Sequence, residues 1–240
     1  MKKTFLSLIT TLIWINLSHA DYTVQVTHKT GRDKKKHTMK LYFKGSKVRA
    51  DLPGMYPGAK NTYAICDLKT KKNYYVNPAT KTYSNMPRPP IGNKNKYQYI
   101  KTNEFIKVGN FKARKYFQKQ GKKTIGILGT IPVKQFGMSA SDFTRYKEFG
   151  DCLSGGKENT NPANDKVFKD QVPIYSKHMG DFENIESTTS LAKKSKLSSK
   201  LFRVPKSYTF TKSPQVNPAM MKDIMENMTP EMKEMMKKFK

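Results

Sequence analysis

Apolar and polar residues alternate with a period of two along most of this chain, most cleanly from Met39 to Leu52. Gly45-Ser46 interrupts the alternation as a two-residue turn whose first position takes φ > 0, which glycine adopts at little steric cost. Folded there, the chain brings Phe43 opposite Val48, Leu41 opposite Ala50 and Met39 opposite Leu52, all on one side of the ribbon. Tyr42 then faces Arg49 and Lys40 faces Asp51 on the wet side, the second an opposite-charge pair. A slip of one residue would move the whole apolar set into water, so the pattern itself fixes the register. The stretch predicts an antiparallel sheet with one apolar face.

The same period predicts strands elsewhere. Residues 21–29 carry Tyr22, Val24 and Val26 at alternate positions. Pro53, Gly54, Pro57 and Gly58 make 52–60 a loop. A second meander follows at 62–68, 73–77 and 82–86, with turns at 69–72 and at Asn77-Pro78-Ala79-Thr80. Pro87, Pro89, Pro90 and Gly92 end that half. The pattern resumes at Glu104, with strands 105–108 and 111–118 about Gly109-Asn110, then 123–131 stopped by Pro132. A helical piece is expected around 139–149, capped by Ser141, and the polar stretch 150–165 reads as a long loop. Residues 172–177, 182–190 and 201–204 read as closing strands. The fold class is α+β, mainly antiparallel β, with a few helices.

Beyond Phe210 the period changes. Residues 211–218 form a polar, proline-marked linker, and Met221, Ile224, Met225, Met228, Met232, Met235, Met236 and Phe239 then recur at steps of three and four. Thr229-Pro230-Glu231 suits a break and restart. Residues 211–240 are thus a linker and a Met-rich amphipathic helical tail. Its stripe of Met221, Met225, Met228, Met232 and Met235 suits packing on the domain or another protomer, or the soft surface offered to a partner or lipid. Thioethers also bind Cu(I), but a metal site would cluster them more closely.

The first twenty residues stand apart from the fold. Lys2 and Lys3, the short apolar run 5–17 and Ser18-His19-Ala20 have the form of a secretory signal cleaved near Ala20. The run is too short and too often interrupted to be a good membrane span, and no later segment is long and apolar enough. The expectation is a bacterial protein of the Gram-negative type, periplasmic or secreted, with one domain over 21–210. Formal net charge is +28, and loss of Lys2 and Lys3 still leaves +26. Such a field attracts anionic surfaces, whether phospholipid, lipopolysaccharide or cell-wall polyanion. The charge is mostly lysine, dispersed along the chain. Lysine and tyrosine interleave in 69–83 and 94–101 as in single-strand binders, but tyrosine is an ordinary strand former and an exported chain meets little nucleic acid. Nucleic acid is not expected as a partner.

Cys66 and Cys152 are the only cysteines. In an oxidising compartment they either form a disulfide, pinning the 150–165 segment to the sheet, or remain two thiols. The sequence holds no HExxH, GxSxG, phosphate-cradling or dinucleotide motif, and no Cys/His set with zinc spacing. The histidines have no cysteine or serine partner that spacing can vouch for. These patterns point away from an enzyme, a metal or a cofactor.

Five stretches, taken in order, carry a resemblance. Residues 39–49 (Met-Lys-Leu-Tyr-Phe-Lys-Gly-Ser-Lys-Val-Arg), 65–72, 75–83, 107–116 and 201–208 are similar to successive strands of an exported bacterial family of unknown function (DUF4412-like). That family belongs to the lipoprotein-carrier (LolA/LolB-like) superfamily. The resemblance spans about residues 22–210. It implies a curved antiparallel half-barrel, open on one side, with helices near its mouth and an apolar concave face. That family often carries a cysteine where Ala113 stands here. The expected function is non-enzymatic binding of a hydrophobic or amphipathic ligand, such as a lipid, acyl chain or lipoprotein. Leu41, Phe43, Val48 and Ala50, with Tyr75, are the candidate apolar face. The alternative is a basic envelope scaffold or adhesion protein that docks on polyanions and a protein partner.

Overall fold

The structure, a computed structural model, describes residues 20–30, 36–52, 61–86, 97–153, 168–179 and 184–212. The leader, the tail with Met221, Met225, Met228, Met232 and Met235, and most of the polar stretch after Leu153 lie outside the described residues. The predicted hairpin forms with the predicted register. Strands β2 (Lys36–Lys44) and β3 (Lys47–Asp51) pair Phe43 with Val48, Leu41 with Ala50 and Tyr42 with Arg49. Gly45 takes φ +54° at the turn. One detail differs: Lys40 stands opposite Asp51, yet Asp51 ion-pairs instead with Arg49 at 2.7 Å and accepts the Tyr42 hydroxyl at 3.1 Å. A short carboxylate reaches a guanidinium two residues away on its own face sooner than an ammonium across the ladder.

Around this hairpin stand β1 (Tyr22–Thr30), β4 (Tyr63–Asp67), β5 (Lys72–Asn77), β6 (Thr82–Asn85), β7 (Tyr97–Val108), β8 (Phe111–Gln120), β9 (Lys123–Pro132), β10 (Gln171–Met179), β11 (Asn184–Thr189), β12 (Lys193–Lys194) and β13 (Thr209–Phe210). All join one sheet in the order β13-β6-β5-β4-β3-β2-β1-β11-β10-β9-β8-β7, with β12 on β1. Every pairing is antiparallel except β13 with β6. The ends β7 and β13 do not meet, so the sheet is open and is not a closed barrel.

The sheet is also curved. In the sheet order β8 lies four steps from β1, roughly 19 Å away in a flat sheet at about 4.8 Å per step. Yet Phe111, at the start of β8, lines a single cavity with Gln25 and Thr27 of β1. Twist and the register shifts in β7–β8, β8–β9 and β9–β10 bend the wing round.

Two helices follow β9. A single turn, α1 (Val133–Phe136), ends at Gly137, whose φ of +89° needs glycine, because a Cβ there would sit 2.9 Å from the Ala192 carbonyl oxygen. Then comes α2 (Ala140–Leu153). Its cap is Ser139 rather than the expected Ser141: Ser139 Oγ accepts the Asp142 N–H at 3.1 Å and donates to the Asp142 carboxylate at 2.7 Å. Ser139 thus caps the helix through the backbone N–H of Asp142, three residues on, and binds the Asp142 carboxylate with its own hydroxyl. Three other expectations are corrected. Strand β7 begins at Tyr97, not at Glu104. Residues 201–204 do not form a strand; Ser199–Phe202 is a 3-10 turn, started by Ser198, whose Oγ accepts the Lys200 N–H. Cys152 lies on the last turn of α2, not in a loop.

The main core joins Tyr22, Val24, Leu41, Phe43, Val48, Ala50, Ala64, Cys66 and Tyr75 of the sheet to Phe136, Phe143 and Phe149 of the helices. Alternation sends Tyr63, Ile65 and Val76 to the other side, where Tyr74, Tyr83, Val204 and Tyr208 pack on them.

Candidate functional site

Leu41, Phe43, Val48, Ala50 and Tyr75 all lie in that main core, none more than 6% exposed. The chain's own helix covers the centre of the face they share. Phe43 meets Tyr146 at 5.8 Å between ring centroids and Phe149 edge-on at 6.0 Å. Phe136 and Phe143 close round Tyr146 from either side, at 5.7 and 6.1 Å. Burial pushes the Tyr146 hydroxyl up to about 12. A disulfide between Cys66 and Cys152, with Cα atoms 6.4 Å apart, ties the end of α2 to β4. Beside it the Asn73 side-chain amide donates to the Cys152 carbonyl at 2.9 Å.

The start of α2 is held by charge. Asp142 and Arg145 form a buried ion pair one turn apart, and the Arg145 guanidinium also donates to the carbonyls of Gly45, in the β2–β3 turn, and of Ala20. Burial alone would raise the Asp142 carboxyl. Hydrogen bonds from Ser139, Tyr22 and Arg145, together with the guanidinium charge, outweigh it and hold the group below the usual carboxylate range. Broken singly, such a pair leaves an unpaired buried charge. This end of the molecule is a closed core.

Open space lies elsewhere. A cavity of about 360 Å³ sits between the β7–β8 turn, the middle of β1, Ile174 of β10, the end of β11 and the segment after it. Its apolar lining is Val108, Phe111, Ile174 and Leu191; its polar lining is Gln25, Thr27, Asn110, Thr188, Thr189 and Ser190. On β1 it is Gln25 and Thr27 that border the space, the positions alternating with core residues Val24 and Val26. The rest of the lining draws on both sides of the sheet: Thr188 stands opposite Thr27 and Thr189 opposite Val26, and Ile174 belongs to the main core. Gly109 holds the tip of the β7–β8 turn at φ +55°. Ser190 fastens the rim, its Oγ accepting the Gln25 N–H at 2.9 Å and donating to the Leu191 carbonyl at 3.2 Å. The volume is near the lower end of the range for ligand pockets.

None of the cleft residues stood out in the sequence as a site. Phe111 and Val108 were legible as strand residues flanking a turn, but Gln25, Thr27, Thr188 and Thr189 are ordinary polar positions of a β alternation. Only the bend of the sheet brings them together.

A second cavity, about 120 Å³, lies between β4, β5 and the segment 202–204, and its lining includes Lys47, Asp67 and Lys72. On β1 and β2, His28 stands opposite His37, and its Nδ1 lies 2.7 Å from Ser187 Oγ. Burial, and then the neighbouring His37, push the His28 imidazole below its ordinary value. Among the described residues, no group of three or more His, Cys, Asp or Glu side chains is arranged to hold a metal, and no helix is long and apolar enough to cross a membrane.

No family model matches the chain, and no curated protein does. The resemblance to the DUF4412-like family therefore has no family model behind it. Two solved structures are similar in outline. One is a LolA superfamily protein from Nitrosomonas europaea, 8% identical, covering 77% of this chain and 90% of that one at a TM-score of 0.32. The other is a DUF1329 family protein from Desulfovibrio piger, 9% identical, covering 78% and 91% at a TM-score of 0.34. Superpositions this loose carry no weight on what this chain does.

Proposed function

We propose that this chain is an exported, non-enzymatic carrier that binds a hydrophobic or amphipathic ligand, such as a lipid or acyl chain, at the bacterial envelope. On this reading residues 1–20 are removed on export and 21–210 form the carrier domain. The supporting observation is the cleft under the β7–β8 turn, in which the partly buried Val108, Phe111 and Leu191 border open space over the buried Ile174. An apolar lining left open to water favours a guest that covers it. The nominated residues Leu41, Phe43, Val48, Ala50 and Tyr75 then serve as the rigid floor behind the site, and the Met-rich tail as a surface offered to a partner or membrane. Native mass spectrometry of protein purified from its own envelope tests the reading. Co-purification of a lipid or acyl species, lost when Phe111 and Val108 are both replaced by Asp, is expected. A mass matching the bare polypeptide, with no binding of an added neutral fluorescent reporter such as N-phenylnaphthylamine, would end it.

A second reading, docking on envelope polyanions, has an observation of its own. Lys29 stands directly opposite Lys36, and Lys107 opposite Lys112, and such like-charge pairs are unfavourable until an anion sits between them. Salt separates the two: polyanion docking should weaken steeply as ionic strength rises, whereas apolar capture should not.

A further inference from the structure

We infer that the cleft takes a single chain with an uncharged head, an acyl group presented as an ester or amide of a neutral alcohol or amine, and discriminates against the free fatty acid. This rests on the carrier reading and narrows it. Among the described residues the lining holds no charged side chain: its polar members are two amides, Gln25 and Asn110, and hydroxyls such as Thr188 and Thr189. That is unexpected in a chain of formal charge +28. The smaller cavity shows the contrast, being bordered by Lys47, Asp67 and Lys72. The nearest chain neighbours of the cleft turn are Lys107 and Lys112, and both are exposed and alternate away from Val108 and Phe111. The protein's field thus draws anions toward its surface without offering one a partner inside this space.

The hydroxyls and amides decide what the head can be. Ser190 is committed to the backbone of Gln25 and Leu191, and Thr27 Oγ1 lies 3.3 Å from Thr38 Oγ1. Gln25, Asn110, Thr188 and Thr189 are the side chains left to turn toward a guest. Amides and hydroxyls both donate and accept, so they satisfy an ester, amide or hydroxyl. A carboxylate seated among them would give up water without gaining a cation, and that cost is larger than for any neutral polar group. Size limits the tail. At the ~30 Å³ that one water-sized group occupies in a liquid, 360 Å³ holds on the order of a dozen heavy atoms, one medium chain rather than two long ones.

The test is competition for bound N-phenylnaphthylamine on the full mature chain by monodecanoylglycerol and by decanoate, below their aggregation concentrations. Salt of about 0.5 M removes the general attraction for anions. The neutral ester is expected to displace the reporter at a concentration about tenfold or more below that of decanoate. Thr188→Lys, which puts a cation into the lining, is expected to shift the ratio toward decanoate by about tenfold. Decanoate competing as well as the ester on the unaltered chain would overturn the inference and leave the carrier reading standing, as would a ratio that Thr188→Lys does not move. If neither compound displaces the reporter, the carrier reading fails and the inference goes with it.

Discussion

The face of the sheet under α2 and the cleft under the β7–β8 turn are built from the same materials and end in opposite states. Under α2, Val24, Phe43, Val48 and Ala50 are at most 1% exposed, met by aromatic rings, a disulfide and a buried ion pair. At the cleft, Val108, Phe111 and Leu191 pack only partly against the core and border open volume. A strand whose apolar alternation is unbroken is the strand the chain can best bury, and here it does so with its own helix. Room for a guest appears where the alternation is mixed with threonine and serine and where a bent hairpin cannot seat fully. The cleanest apolar pattern marks what the protein needs for folding; vacancy is a matter of curvature and turns.

The largest expected effect tests this contrast directly. Phe43→Ala removes a ring with 1% exposure from the middle of the covered core, and the cost should be about 3–5 kcal/mol by urea denaturation. Phe111→Ala, a ring at the cleft, should cost about 1–2 kcal/mol, because that ring is only partly buried. At the same time it should weaken reporter binding, which Phe43→Ala should alter only through loss of fold. Equal costs for the two would erase the distinction between a closed and an open region.

Next comes the disulfide. It closes a loop of sequence separation 86, so replacing both Cys66 and Cys152 by Ala should cost about 4.5 kcal/mol if the restraint acts on the unfolded chain. Because the bond ties α2 to β4, hydrogen exchange in α2 should rise well above that in β7 and β8. Uniform acceleration across the sheet would mean that the tie is not local to the covered face.

The ion pair is third. Asp142→Asn leaves Arg145 buried beside a neutral amide and should cost about 3 kcal/mol at neutral pH. Its pH dependence is distinctive. The Asp142 carboxyl lies below its unfolded value, so its contribution is complete above an unfolded pKa of about 3.9 and is lost as pH falls through the folded value. Stability curves of the two proteins should therefore converge on acidification. Parallel curves down to pH 2 would show that the carboxylate charge is not what holds α2.

How much of this the sequence revealed depended on the range of the interaction. The hairpin about Gly45 was legible to the residue, because strand period and turn chemistry are both local. The cap of α2 slipped by two residues: Ser139 and Ser141 are equally good caps in isolation, and Asp142, three residues after Ser139, was the signal that should have decided it. The start of β7 at Tyr97 was obscured because an edge strand pairs on one side only and can afford Gln98, Lys101 and Asn103. The apolar face was found, but its occupant was not, since whether α2 covers Phe43 depends on a packing some hundred residues away in sequence. The cleft was not legible at all. Its walls come from β1, the β7–β8 turn, β10 and β11, strands that share no pattern and meet only through the bend.

The smallest effect belongs to the row of the sheet just beyond the covered core, where Val26 and Met39 give way to His28 and His37. His28 titrates below its ordinary value because burial, and then His37, disfavour its cation. Above a pH of about 6.5 it is neutral whether folded or unfolded and contributes nothing. Below that, the unfolded chain takes up a proton that the folded chain resists, so stability declines as pH falls from the unfolded value toward the folded one. His28→Gln should remove this decline, raising Tm at pH 5.5 by about 1–2 °C relative to wild type and leaving it nearly unchanged at pH 7.5. The side chain is only half-buried, which is why the effect is small beside that of Asp142. If the substitution lowers Tm equally at both pH values, the Nδ1 contact with Ser187 matters more than the proton, and the row belongs with the closed core rather than with its wet border.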